Sequence, residues 1–98
     1  MTEKLIRDLL AQRIPVDQLR IETDPSKVAA ALSEKLDEEI VELRASDFGD
    51  VGEYADVIEV LYAMAARKGI SIHTIEATRL AKLRERGGFE SGLMFRKD

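Results

Sequence analysis

Leu5, Ile6, Leu9 and Leu10 recur at helical spacing behind Thr2, a residue suited to an N-cap, and Pro15 stops the pattern because its ring clashes with the preceding turn. A short first helix is expected there, ending before Arg13 and Ile14. Val16 to Thr23 alternates imperfectly around Leu19 and Ile21, which predicts an extended connection or a brief strand. Asp24 before Pro25 is a strong helix start: the carboxylate can accept from orphan backbone amides, and proline suits the first helical position. The second helix then runs on the stripe Val28, Leu32, Leu36, Ile40 and Leu43 to about Ala45. Ser46, Asp47, Phe48 and Gly49 read as a connection. A third helix starts near Asp50 and ends at Gly69, and a fourth starts at the capping Ser71 and stops at Gly87 and Gly88. From Phe89 to Asp98 the chain is expected to be irregular.

The third helix is apolar on two sides. Val51, Ala55, Ile58, Tyr62 and Ala65 form one stripe, and Val57, Val60 and Met64 form another. A helix of that kind is sandwiched between neighbours or shared with a partner chain. The pattern predicts one all-α domain over residues 1–98, an antiparallel bundle of about four helices completed by homo-oligomerisation. Chain length points the same way, since 98 residues leave much apolar surface near the exterior.

Charge and composition narrow the function. The net charge is −4, which argues against a protein that coats nucleic acid polymers. No apolar run is long enough to span a membrane, and no signal-peptide pattern opens the chain, so a cytoplasmic location is expected. With no cysteine, disulfides and thiolate metal sites are excluded. Acidic residues crowd 34–59, whereas 79–86 hold Arg79, Lys82, Arg84 and Arg86 against Glu85 alone. An acidic centre beside a basic segment suits a metal with an anionic ligand, and equally suits ion pairing between helices.

Helical phase singles out particular acids. Glu39 lies about 40° from the centre of the second helix's apolar stripe, Glu42 about 100° away at its margin, and Glu38 about 140° away, nearer solvent. On the third helix, stepping back four residues from Val57 reaches Glu53, with Asp56 beside it. Each helix thus carries an i, i+3 acid pair at an apolar face, a spacing that lets two carboxylates converge on one ion. Such acids cannot share a dry interior unless they are neutralised. Oxygen-only ligands favour Mg²⁺, Mn²⁺ or Ca²⁺ over zinc, and Mg²⁺ is usual where phosphates also bind. Either acid motif taken alone is most often a solvated face.

KLDEEIVELRAS at 35–46 followed by EYADVIEVLYAMA at 53–65 resembles the all-α nucleotide pyrophosphohydrolases called MazG-like, whose signature is E-E-x-x-E then E-x-x-D. RLAKLRERGGFESGLMF is similar to the basic helix and R-G-G-F turn of the phosphoribosyl-ATP pyrophosphohydrolase-like branch. KLIRD at 4–8 also looks like the opening of that branch, which continues with Lys-Ile-Pro. Here Leu9 to Arg13 intervene before Ile14 and Pro15, so the resemblance carries no ligand role to Lys4, Arg7 or Asp8.

The resemblance implies a Mg²⁺-dependent (or Mn²⁺-dependent) hydrolase that cleaves nucleoside triphosphates between the α and β phosphates, giving a monophosphate and pyrophosphate. It implies a homodimer or higher homo-oligomer working in nucleotide-pool house-cleaning. Carried over residue by residue, Glu39, Glu42, Glu53 and Asp56 are the metal ligands, and Glu38 is a supplementary ligand or a base near the attacking water. Arg79, Lys82 and Arg86 share a stripe of the fourth helix and are candidates to grip the triphosphate, against the alternative of a solvated basic face. Lys35, between Leu32 and Glu39, is a candidate for the same task or for a salt bridge. His73 reads as a solvated histidine, and Tyr54, Tyr62, Phe48 and Phe89 as packing aromatics. Phosphoribosyl-ATP hydrolysis is the alternative activity, and a catalytically silent helical interaction module is the alternative class.

Overall fold

In the computed structural model, which describes residues 3–97, the long helices start and stop at the predicted signals. Helix α1 spans Pro25–Ala45, and Asp24 Oδ1 caps it by accepting from the Ser26 amide at 2.9 Å. Helix α2 spans Val51–Arg67, where Asp50 Oδ1 accepts from the Gly52 amide at 2.8 Å. Helix α3 spans Ile72–Arg86, capped by Ser71 Oγ, which accepts from Thr74 N at 3.1 Å. Gly69, at φ 74°, closes α2: its amide donates to Ala66 O and that of Ile70 to Ala65 O, satisfying two terminal carbonyls. The α1–α2 connection closes the same way without glycine. Asp47 and Phe48 both take positive φ, 54° and 58°, and Phe48 O accepts from the Tyr54 hydroxyl at 3.0 Å.

The short connection makes α1 and α2 an antiparallel hairpin: Ala29 and Leu32 lie beside Met64 and Ala65 at one end, and Glu39 faces Glu53 and Asp56 towards the other. Leu32 and Leu43 from α1 and Val60 from α2 are buried in this seam, with Val28, Leu36, Ile40, Val57 and Met64 half-buried around them. These are the predicted α1 stripe and the second α2 stripe. Helix α3 packs on α2 and not on α1. The Tyr62 hydroxyl donates to Glu76 Oε1 at 3.4 Å across that contact.

The N-terminal third departs from expectation. Thr2 lies outside the described residues. From Glu3 to Arg7 the chain has no regular structure, and only Asp8–Arg13 coils, as a 3₁₀ helix without a side-chain cap. Leu9 is 77% exposed, so the apolar face that suggested an α-helix has nothing to pack on, and a turn or two cannot offset the cost of nucleation alone. Between Val16 and Thr23 there is no strand. The segment is an extended connection with a 3₁₀ turn over Val16–Gln18, where Gln18 N donates to Pro15 O at 2.9 Å. Among the described residues every regular element is helical, and three long α-helices with the short 3₁₀ helix Asp8–Arg13 stand where about four helices were expected.

The fold leaves an unusual amount of itself in water. It exposes 8883 Å², against about 5,600 Å² for a compact monomer of this mass. The radius of gyration is 17.2 Å, against about 13 Å for a globular chain of this length. Val51, Ile58 and Leu61 on α2, Ile72 and Leu83 on α3, and Phe89, Leu93, Met94 and Phe95 in the tail are all exposed. No described helix is long and apolar enough to cross a membrane.

Candidate metal centre

Glu39 is the one buried charged residue among those described, 6% exposed in the hairpin seam. Its position follows from phase: it sits one turn from Leu43 and two from Leu32, so α1 cannot bury those leucines without carrying Glu39 in with them. Opposite it, Glu53 occupies the first turn of α2 and Asp56 lies one turn further on, both half-buried. One carboxylate oxygen from each of the three lies within 4.8 Å of the others. Oxygens around a Ca²⁺ are separated by at most about 5 Å and those around a Mg²⁺ by about 4 Å, so the trio is on the scale of a hard divalent cation.

The hydrogen bonding of this trio is incomplete. Lys35 Nζ lies 3.4 Å from Glu39 Oε1, and Arg7 Nη2 donates to Asp56 Oδ1 at 2.7 Å. Glu39 Oε2 and Glu53 Oε2 are buried with no hydrogen-bond partner among the described residues. Buried carboxylate oxygens are ordinarily satisfied, and leaving them bare is costly, so these two atoms fit a site whose missing partner is a cation. Burial, then the negative charge of Glu42, pushes the Glu39 carboxyl above its ordinary range; Lys35 opposes this and Asp56 adds to it.

The other candidates are distributed around the trio. Glu42 is exposed and acts on Glu39 through its charge, outside the converging group. Glu38 lies between Lys4 Nζ at 3.5 Å and Lys35 Nζ at 3.4 Å. Partial burial tends to raise its carboxyl, but Lys35 and then Lys4 outweigh that and hold it below the usual range. Glu38 is therefore ionised at neutral pH and is a weaker base than an ordinary glutamate. Arg79 is turned onto its own helix, donating to Glu76 Oε2 at 2.8 and 2.9 Å, and Lys82 and Arg86 are exposed. Among the described residues no ion pair joins Arg79, Lys82 or Arg86 to Glu39, Glu53 or Asp56, and Arg79 is held by Glu76. His73 is exposed, as is Phe89.

What the sequence reading missed is the N-terminal segment. Arg7 and Lys4 reach the acids from 49 and 34 residues away, and Arg7, Asp8, Lys35, Glu39, Asp56 and Glu59 surround a cleft of about 180 Å³ floored by Leu5, Leu32, Val60 and Ala63. The two cations of KLIRD, Lys4 and Arg7, were the available signal. Larger hollows beside Arg20 and along α1 collect no converging acids and are open at the surface. The chain matches no family model, no curated protein and no solved structure.

Proposed function

We propose that the chain is a Mg²⁺-dependent nucleoside triphosphate pyrophosphohydrolase that releases a nucleoside monophosphate and pyrophosphate, acting as a homodimer or higher homo-oligomer in cytoplasmic nucleotide-pool house-cleaning. The observation that carries the metal half is that Glu39 and Glu53, which bring carboxylate oxygens within 4.8 Å of each other across the hairpin, each also bury an oxygen with no hydrogen-bond partner among the described residues. The pyrophosphohydrolase half is supported by the resemblance of the two acid blocks and the R-G-G-F turn to the MazG-like enzymes.

In this reading Glu39, Glu53 and Asp56 hold the ion, with exposed Glu42 at its outer edge. A bound divalent ion neutralises phosphate charge and lowers the pKa of water at the site. Lys35, beside Glu39, offers an ammonium to the phosphates, and Glu38, kept ionised by Lys4 and Lys35, accepts a hydrogen bond from the attacking water and orients it. The apolar floor of the cleft limits water around the reacting bond.

The oligomeric half is supported by area. The exposed surface exceeds that of a compact monomer by about 3,000 Å², and a permanent dimer buries about 1,000–2,500 Å² from each subunit. Val51, Tyr54, Ile58 and Leu61 make a continuous exposed stripe on α2 at the spacing of a helix–helix seam, and a second copy of the chain is the occupant that repeats on every molecule.

The test is incubation of the protein with a panel of nucleotides, phosphoribosyl-ATP included, with and without Mg²⁺, followed by product identification. Monophosphate plus pyrophosphate is expected. Release of orthophosphate, or full activity in Glu53→Gln, overturns the mechanism. No turnover together with no Mg²⁺-induced thermal stabilisation leaves the helical interaction module, which the exposed α2 stripe favours.

A further inference from the structure

The segment from Lys4 to Arg7 lies over the α1–α2 seam. Lys4 is tied to Glu38 on α1 and Arg7 to Asp56 on α2, so the two ends of a four-residue stretch engage opposite walls of the acidic cleft while Leu5 joins its floor. The segment is pinned from outside by Glu3, whose carboxylate accepts from Arg20 Nε and Nη2 at 2.7 Å each. Arg20 also donates to Glu22 at 3.0 Å, and Glu22 accepts from the Asp24 amide at 3.2 Å at the start of α1. This clip holds the cations over the acids although the segment has no helix of its own.

Arg7 and a divalent ion compete for the same carboxylate. Asp56 belongs to the converging trio and already accepts from Arg7 at 2.7 Å, and a guanidinium beside a doubly charged ion is repelled. The guanidinium is more than half exposed at the mouth of the cleft, so when Asp56 turns to an ion its planar donor fork faces whatever anion that ion brings. Such a fork matches phosphate oxygens two at a time, which the point charge of a lysine does not.

Resting on the metal reading above, we propose that Arg7, assisted by Lys4, is a displaceable counter-ion of the acidic cleft that becomes the binding group for the phosphate of a metal-bound anionic ligand. Arg7 has opposite effects on the two ligands: it weakens the metal and strengthens the anion.

The test is calorimetric titration of wild type, Arg7→Gln and Arg7→Lys with Mn²⁺ alone, and then with inorganic pyrophosphate at saturating Mn²⁺. Arg7→Gln is expected to bind Mn²⁺ up to about fivefold more tightly, and pyrophosphate about tenfold or more weakly. Arg7→Lys keeps the charge and is expected to bind Mn²⁺ like wild type while losing part of the pyrophosphate affinity. It carries the test if Arg7→Gln fails to fold. A Mn²⁺ affinity that does not rise in Arg7→Gln, or a pyrophosphate affinity that falls in neither variant, overturns the proposal while leaving the metal site standing. Absence of Mn²⁺ binding in every protein overturns the metal site itself.

Discussion

Lys35 and Glu39 stand one turn apart on α1, and the ammonium reaches Oε1 at 3.4 Å while Oε2 of the same carboxylate stays buried and bare. One cation therefore half-neutralises a group that the hairpin cannot avoid burying. The consequence for stability has a definite sign. Burial, with the charges of Glu42 and Asp56, raises the Glu39 carboxyl above its value of 4.5 in water, more than Lys35 lowers it. Above the unfolded value the unfolded chain has shed this proton while the folded chain still binds it, so ionisation costs stability as pH rises through the folded value. Glu39→Gln removes that cost. At neutral pH and without metal the variant is expected to be more stable by about 1 kcal/mol, a melting shift of about 4–8 °C. The difference from wild type should vanish near pH 4. Equal or lower stability of Glu39→Gln at neutral pH contradicts this account.

The same proton competes with the ion. A divalent cation needs Glu39 as carboxylate, so the Mn²⁺ affinity of wild type is expected to rise as pH climbs from 4.5 through the raised folded value, and to change less above it. At free Mn²⁺ about a hundredfold above Kd, the ion stabilises the fold by about 2.7 kcal/mol. Thermal unfolding with Mn²⁺, or with a chelator, across pH measures this directly. Glu39→Gln and Glu53→Gln should lose most of the metal-dependent shift, and an undiminished shift in both places the ion elsewhere.

Both effects depend on depth, and the depth of Glu39 was legible in its phase relative to Leu32, Leu36 and Leu43. The helix limits were legible for a related reason: Asp24 with Pro25, Asp50, Ser71 and Gly69 act locally, through bonds to backbone groups a few residues away. Arg7 and Lys4 act at long range, and their sequence neighbourhood was misleading. Leu5, Ile6, Leu9 and Leu10 carry helical spacing, yet Leu5 and Ile6 are half-buried from an irregular segment and Leu9 and Leu10 face water. Periodicity reports which side chains a helix would align, whereas the outcome depends on whether a partner surface exists to receive them. The basic stripe of α3 shows the same limit, since Arg79 is satisfied within its own helix at Glu76.

Because Glu53 sits in the first turn of α2, the cap of that helix is coupled to the acidic trio. Asp50→Ala removes the acceptor for Gly52 N and is expected to cost about 1 kcal/mol. It should also weaken Mn²⁺ binding severalfold by loosening the turn that carries Glu53. Asp24→Ala breaks the equivalent bond at the far end of the hairpin, so a similar loss of stability is expected with Mn²⁺ affinity unchanged. Equal metal affinities in the two variants would show that the first turn of α2 does not position the site.

The α2 stripe gives the oligomeric reading a direct test. Ile58 is 45% exposed in the single chain and lies between Tyr54 and Leu61 on the side of α2 turned away from the buried Val60. An aspartate there adds charge to a surface already in water, so in a true monomer Ile58→Asp should change stability little, within about 0.5 kcal/mol. In a dimer seam the same side chain is desolvated opposite its own copy. The variant is then expected to sediment as a monomer while wild type sediments as a dimer or larger. Its melting temperature should fall and lose the dependence on protein concentration that wild type shows. A wild-type protein that sediments as a monomer at micromolar concentration sinks the oligomer, and an Ile58→Asp variant that stays assembled moves the seam to the exposed apolar residues of α3 and the tail.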